Sequence, residues 1–226
     1  MKKSFAILNI VFAVLTVALM LVYKFVGGVV LKGAASFAFV LIGITNLVYA
    51  IKNKSSHVRF AVVLLVGLAV ACVADVVLNL NFMLGAIIFA IGHVFYFVAY
   101  ASLYKFRWMD AIVAAIIFVP SCLVILFVPL FDFGGIVMQI VCVVYALIIS
   151  CMLGKAISNF LLEKSRVNLL IAVGSFLFFF SDLMLLFDVF AAVPAIFGIL
   201  CMATYWPGQA VIASSIFAKV NEEMQK

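Results

Sequence analysis

The sequence predicts an all-α integral membrane protein with eight transmembrane helices. Of the 226 residues, 70% are hydrophobic and only 10% are charged, and the mean hydropathy is +1.45. A water-soluble domain needs more polar surface than this composition supplies. The apolar residues also fall into runs of membrane-spanning length, and most of the basic residues lie between the runs, on one predicted side.

The apolar runs follow one another along the whole chain, with short turns between them. Each is close to the ~20 residues that an α-helix needs to cross ~30 Å of hydrocarbon. The first run follows Met1-Lys2-Lys3, as in a signal peptide. It is long for one and lacks a clean cleavage motif, so we interpret it as the first helix. The predicted spans are residues 5–23, 29–51, 58–80, 82–104, 108–130, 134–156, 167–187 and 194–218.

The basic residues predict the orientation. Eight spans put both termini on the same side. A cytoplasmic location of the termini places twelve Lys and Arg residues inside and two outside, as the positive-inside rule expects. The net charge of +6 therefore reflects topology, and we expect no nucleic acid partner. The inner residues are Lys2, Lys3, Lys52, Lys54, Arg59, Lys105, Arg107, Lys155, Lys164, Arg166, Lys219 and Lys226; the outer ones are Lys24 and Lys32.

The remaining composition bears on compartment and cofactors. Short loops and the charge bias predict a bacterial cytoplasmic membrane, with an internal eukaryotic membrane as the alternative. The five cysteines all lie in apolar runs without a C-x-x-C motif, which is typical of inert core residues. Two histidines are too few for a His-rich metal site. We therefore expect no metal ion and no cofactor.

Two aspartates lie deep inside apolar runs in similar contexts: Asp75 in the string ADVVL and Asp182 in SDLML. An ionisable group inside the membrane costs roughly 2.5–3.5 kcal/mol on insertion scales, which predicts a function for both. Both are expected at a similar depth in the outer half of the membrane. Their spacing predicts two parallel four-helix repeats, residues 1–107 and 108–226, within a single membrane domain. The structural alternative is that each aspartate is a polar clamp between helices.

Helical spacing collects further polar residues into stripes. Asn79 lies one turn after Asp75 on the third helix, and His93 shares a face of the fourth helix with Tyr96. Tyr205 and Gln209 form a similar pair on the eighth helix. Lipid would not solvate these groups, so the stripes should point into the bundle. They predict a polar cavity that opens toward the outer leaflet.

These motifs resemble those of the YhhN-like lysoplasmalogenase family of integral membrane hydrolases. The matching stretches are ADVVL around Asp75, GHVFY around His93, FSDLML around Asp182 and YWPGQAVI from Tyr205. Lys32 corresponds to a Lys-Pro of the family, with Gly replacing the Pro here. The resemblance covers the whole eight-helix length. It implies cleavage of the vinyl-ether bond of lysoplasmalogens, which yields a fatty aldehyde and glycerophosphocholine or glycerophosphoethanolamine.

The chemistry of a vinyl ether suits two carboxyl groups. Hydrolysis begins with proton transfer to the carbon β to the ether oxygen, and water then adds to the resulting oxocarbenium ion. A protonated carboxylic acid and a nearby carboxylate supply both functions, as in glycosidases, and burial in a low dielectric helps a carboxyl group to keep its proton. Asp75 and Asp182 are the predicted catalytic pair, and either could be the acid.

The resemblance also suggests roles for the other polar residues. Lys32 would hold the substrate phosphate, with a snorkelling interfacial lysine as the alternative. His93 would position Asp75 or relay protons, with a structural hydrogen bond as the alternative. The remaining candidates would bind substrate oxygens or the carboxylates, with interhelical hydrogen bonding as the alternative. The candidate substrate-binding residues are Lys32, Asn79, His93, Tyr96, Tyr205 and Gln209.

Two other functions fit the same residues. One is a small proton-coupled transporter that uses the aspartates as a relay, and the other is a membrane protein that binds a different lysolipid. A transporter needs polar groups that continue to the inner face, where the sequence offers chiefly Gln139, Tyr145 and Gln209. That scarcity favours a site that is accessible from the outer side alone. The expected partners are a lysophospholipid substrate and membrane lipids. Residues 178–180, three phenylalanines, are interpreted as lipid-facing in preference to lining an alkyl-chain tunnel.

Overall fold

Residues 2–225 are described in the computed structural model, and they form eight helices long and apolar enough to cross a membrane. This confirms the predicted all-α class and the number of spans. Lys226, counted among the inner basic residues, lies outside the described residues, as does Met1. The helices are α1 (Lys2–Val26), α2 (Val29–Lys52), α3 (Val58–Leu78), α4 (Phe82–Leu103), α5 (Trp108–Phe127), α6 (Ile136–Leu162), α7 (Arg166–Phe190) and α8 (Ile196–Glu223).

Local chemistry sets several helix ends. The Asn81 side chain accepts a hydrogen bond from the backbone N–H of Leu84 at 3.0 Å, and so caps the start of α4. Ser165 caps α7 in the same way. The turn between α1 and α2 contains Gly27 and Gly28, with φ of 75° and 93°, values that favour glycine. Following the predicted orientation, the end with the α3–α4 and α7–α8 turns is called the outer end.

Two helices extend further at the inner end than predicted. The sequence predicted ends at residues 156 and 218, whereas α6 continues to Leu162 and α8 to Glu223. Lys155, counted among the inner basic residues, accordingly lies within α6, and its side chain is fully buried. Its Nζ lies 2.8 Å from Asp110 Oδ2 and donates to the Lys105 carbonyl at 3.0 Å. A charge can remain buried here because it is paired and hydrogen bonded.

Corresponding helices in the two halves of the chain pack in corresponding ways. The pairs α1–α2, α2–α3, α3–α4 and α2–α8 have counterparts in α5–α6, α6–α7, α7–α8 and α6–α4. Asn46 on α2 donates to the Ala213 carbonyl of α8 at 3.0 Å, and Asn159 on α6 donates to the Tyr100 carbonyl of α4 at 3.1 Å. These correspondences support the two parallel repeats, residues 1–107 and 108–226, which stay a proposal.

Small residues let the helices that carry the aspartates pack closely. A Cβ at Gly67 on α3 would come within 2.6 Å of the Tyr96 ring on α4, and one at Gly174 on α7 would come within 2.7 Å of Ile212 on α8. Glycine at these helix contacts permits close backbone approach. Each glycine lies about two turns before an aspartate on its helix. Asp75 and Asp182 therefore lie at the same spacing along their helices from a close helix contact.

Candidate functional site

Asp75 is buried on α3 and is surrounded by hydrogen-bond donors. Its Oδ2 accepts the Ser36 hydroxyl of α2 at 2.5 Å and the Tyr205 hydroxyl of α8 at 2.6 Å. Its Oδ1 lies 3.7 Å from the Lys32 ammonium. Trp206 Nε1 in turn donates to Ser36 Oγ at 3.2 Å. A carboxylate accepts hydrogen bonds and donates none, so these contacts suit an ionised side chain.

Asp182 occupies the corresponding position on α7, with a different set of partners. Its Oδ2 accepts the Tyr145 hydroxyl of α6 at 2.6 Å, and His93 Nε2 of α4 lies 2.8 Å from the Tyr145 oxygen. Its Oδ1 lies 3.4 Å from the Ser181 hydroxyl, which makes a shorter bond of 2.7 Å to the Phe178 carbonyl. Asp182 therefore has one oxygen fixed by Tyr145 and one without a strong donor among the described residues.

Two sequence interpretations are wrong in detail. His93 lies on the Asp182 side of the site, with Nε2 3.4 Å from Asp182 Oδ2, and does not position Asp75 as expected. Tyr145 belongs to the site and not to an inner polar path, because it bonds Asp182 directly. Spacing along one helix predicts which residues share a face, but it does not show which neighbouring helix that face meets. Ser36 and Tyr145, the two hydroxyl partners from α2 and α6, were therefore missing from the predicted site.

A cavity of about 310 Å³ is lined by both aspartates, and it is called the polar cavity because of the charged side chains in its wall. Lys32, Asn79 and Tyr205 line it together with Asp75 and Asp182, so five residues of the predicted site do meet at one cavity. Asp188 and residues of the outer part of α8 line its outer portion. Tyr23 of α1 lines another part of the wall, with its ring centroid 5.8 Å from that of Trp206.

An apolar cleft adjoins the polar cavity on the Asp182 side. Its cavity volume is about 90 Å³, and it lies among α4, α5, α6 and α7. The cleft and the polar cavity share five lining residues, namely Leu78, Phe82, Phe89, Asp182 and Leu185. Phe179 lines the cleft and Phe178 is fully buried, which corrects the lipid-facing interpretation of that phenylalanine run.

Tyr96 and Gln209 lie one level deeper in the bundle. The Tyr96 hydroxyl donates to Gln209 Oε1 at 2.7 Å, and neither residue lines the two cavities described above. One turn further along α4, the Tyr100 hydroxyl and Ser175 Oγ lie 3.0 Å apart. Buried aromatic rings and these hydrogen bonds fill the space beneath the polar cavity. The contacts match the alternative of interhelical hydrogen bonding, and a substrate contact for Tyr96 or Gln209 stays a prediction.

The remaining side chains that could bind a metal ion or form a disulfide do not cluster. Within residues 2–225, His, Cys, Asp and Glu side chains form no group of three or more that could hold a metal ion. The five cysteines are unpaired.

The fold and the cavity define a polytopic membrane protein with a pair of intramembrane carboxyl groups facing one internal cavity. Residues 8–216 match the model of the YhhN family. The chain therefore belongs to the YhhN family. Neither the curated proteins nor the solved structures gave a match.

Proposed function

We propose that this protein hydrolyses the vinyl-ether bond of lysoplasmalogens, releasing a fatty aldehyde and a glycerophospho-base. The observation that carries the proposal is the meeting of Asp75 and Asp182 at one cavity inside an apolar bundle. Membership of the YhhN family is consistent with a hydrolase. The polar cavity beside an apolar cleft also suits a molecule with a charged headgroup and a single hydrocarbon chain.

The first step transfers a proton from one aspartic acid to the β carbon of the vinyl ether. The π electrons of the double bond form the new C–H bond, and the positive charge is shared between the α carbon and the ether oxygen. A carboxylate next to this oxocarbenium ion stabilises it, and a fixed charge in a low-dielectric site acts more strongly than in water.

The second step adds water to the α carbon and restores the protein. The second aspartate takes a proton from the attacking water, and a hemiacetal forms. Its collapse breaks the bond between the α carbon and the glycerol oxygen. The glycerol oxygen receives the proton held by the second aspartic acid, and the hemiacetal hydroxyl returns a proton to the first aspartate. Both carboxyl groups end in their starting states.

Lys32 is suited to bind the phosphate of the substrate. Its side chain is largely buried, lines the polar cavity and lies 3.7 Å from Asp75. An ammonium group has three N–H donors, so it can bind a phosphate oxygen while it still faces the carboxylate. The phosphate would thereby be held at a fixed distance from the reacting bond, and such positioning accounts for a large part of many rate enhancements.

The test is aldehyde release from lysoplasmalogen by the protein purified in mild detergent. Choline and ethanolamine headgroups are compared, and the variants Asp75→Asn and Asp182→Asn are assayed beside the wild type. Size-exclusion profiles show whether each variant is folded. We expect release by the wild type and its loss in both folded variants.

Two results would overturn the proposal. A folded wild type that releases no aldehyde from either headgroup class would reject the hydrolase and favour lysolipid binding or transport. Folded asparagine variants that keep wild-type rates would show that the aspartates are structural clamps.

A further inference from the structure

We propose that the apolar cleft binds the part of the substrate's hydrocarbon chain next to the ether oxygen and orients the substrate so that Asp182 is the proton donor. This inference rests on the proposed function, and it names the chain-binding subsite and the acid. It is carried by three observations: the shared wall of the two cavities, the gap between α4 and α5, and the hydrogen bonding of the aspartates.

The cleft is lined almost entirely by apolar side chains. Ala86 and Phe89 contribute from α4, Ile125 from α5, and Ala146 from α6. Asp182 and Tyr145 are the acidic and phenolic groups at its end. Because the cleft shares lining residues with the cavity that contains Lys32, a lipid headgroup and its chain can lie in the two spaces at once.

The cleft lies where the bundle is open on one side. Consecutive helices usually pack against each other, yet α4 and α5 make no close contact within the described residues, although both line the cleft. The corresponding pair in the proposed repeat, α8 and α1, does pack, and Tyr23 of α1 lines the polar cavity there. The Asp182 side chain beside this gap is 14% exposed, against 3% for Asp75, and we take the gap between α4 and α5 as the route by which the hydrocarbon chain enters.

The size of the cleft limits what it can hold. A volume of about 90 Å³ is far smaller than a complete fatty chain. We infer that only the first few chain carbons lie inside, and that the rest extends through the gap between α4 and α5 into the surrounding lipid. One hydrocarbon chain fits this geometry, as expected for a lysolipid.

This placement decides the order of the reacting atoms. With the phosphate at Lys32 and the chain in the cleft, the α carbon lies toward the polar cavity and the β carbon toward the cleft. Asp182 lines both spaces, whereas Asp75 lines the polar cavity. Asp182 is therefore the residue that can reach the β carbon, and Asp75 is the one beside the α carbon and the attacking water.

The hydrogen bonds agree with this division. Asp75 has two short hydroxyl donors, Ser36 and Tyr205, and the Lys32 ammonium 3.7 Å away, a set that favours its carboxylate form. Asp182 has one oxygen held by Tyr145, with His93 Nε2 3.4 Å from that same oxygen, and its other oxygen has only the 3.4 Å contact to Ser181. That second oxygen can carry a proton directed at the substrate. Asp182 is therefore the acid that protonates the β carbon, and Asp75 is the aspartate that takes a proton from the attacking water.

The test is photolabelling with a saturated alkyl-ether lysophosphocholine that carries a diazirine at the second chain carbon. This lipid has no vinyl ether to hydrolyse, so labelling does not depend on turnover. We expect an adduct on the Asp182 carboxyl group, competed by excess unlabelled lysolipid. The same lipid with the diazirine a few carbons further along should label α5 and α6 residues of the cleft.

A steric variant tests the cleft independently. Ala146→Phe places a phenyl ring in the cleft. Leu147→Phe introduces the same ring at the next position, where the side chain is exposed. We expect Ala146→Phe to lower cleft labelling and kcat/KM by about 10-fold or more, since misfit of one methylene is worth roughly 10–200-fold in a fitted apolar pocket. Leu147→Phe should leave both within about twofold, as surface changes usually have small effects.

The outcomes separate the two proposals. Labelling of the cleft without aldehyde release from lysoplasmalogen would reject the hydrolase and keep the chain subsite. An adduct on Asp75 in place of Asp182 would reverse the assignment of the acid. Four results would overturn the chain subsite. The labelling could spread over the lipid-facing surface, it could resist competition, or it could be competed only by diacyl phospholipids. The two phenylalanine variants could also have equal effects.

Discussion

The hydroxyl group of Tyr205 provides a quantitative test of how Asp75 acts. Tyr205→Phe removes one of the two hydroxyl donors to Asp75, a bond of 2.6 Å, and leaves the ring in place. That ring packs against Phe89 and Phe178 at centroid distances of 5.8 and 5.2 Å, so phenylalanine should fill the same space. A hydrogen bond to a charged group is worth roughly 1.5–3 kcal/mol. At about 1.4 kcal/mol for each factor of ten, kcat/KM should fall roughly 10- to 150-fold.

The assay is aldehyde release from lysoplasmalogen in mixed micelles, with thermal unfolding in detergent as the measure of folding. The matched control is Tyr100→Phe, which removes a buried hydroxyl that contacts Ser175 and lies away from both cavities. We expect the control to lose some stability and to keep its kcat/KM within about threefold, because a neutral hydrogen bond contributes roughly 0.5–1.5 kcal/mol to folding. A folded Tyr205→Phe with undiminished activity, or equal losses in both variants, would refute the role given to Tyr205.

Three further changes probe the headgroup and the packing. Lys32→Met should raise KM for lysoplasmalogen by about 10-fold, as loss of a charge-assisted bond predicts, whereas Lys24→Met should not change it; equal KM values would exclude a phosphate contact. Asp188 lines the polar cavity and would pair with the amine of the headgroup. Asp188→Asn should therefore raise KM roughly two- to fivefold for choline and ethanolamine substrates, as loss of an exposed ion pair predicts, and should not change KM for a headgroup without an amine. Lys155→Met removes the buried ammonium from Asp110, which keeps Arg107 at 3.6 Å and the Arg107 backbone N–H; it should cost roughly 1.5–3 kcal/mol of stability, and an unchanged thermal unfolding would show that the buried pair does not stabilise the fold.

The spans and five of the residues that line the polar cavity follow from local patterns in the sequence. Apolar runs of membrane length predict helices because the backbone has no other way to satisfy its hydrogen bonds in lipid. Asp75, Asp182, Lys32, Asn79 and Tyr205 are found together because each is a polar residue near the outer end of its helix.

The partners across helices could not be predicted in the same way. Tyr145 bonds Asp182 because α6 packs against α7 and also against α4, which depends on how the helices neighbour one another. His93 lies beside Asp182 for the same reason. Lys155 was counted with the inner basic residues because charge usually marks the end of a span. Its burial depends on Asp110 of the neighbouring helix, which no periodicity along α6 reveals.

The central claim is that the reaction starts with protonation of the vinyl-ether carbon by an intramembrane carboxylic acid. The most direct measurement is turnover of lysoplasmalogen by the wild-type protein in D₂O, followed by mass spectrometry of the products. The account predicts an aldehyde with one deuterium on the carbon next to the carbonyl, together with an intact glycerophospho-base. An aldehyde without that deuterium, or cleavage at the phosphate that leaves the alkenyl ether intact, would contradict it.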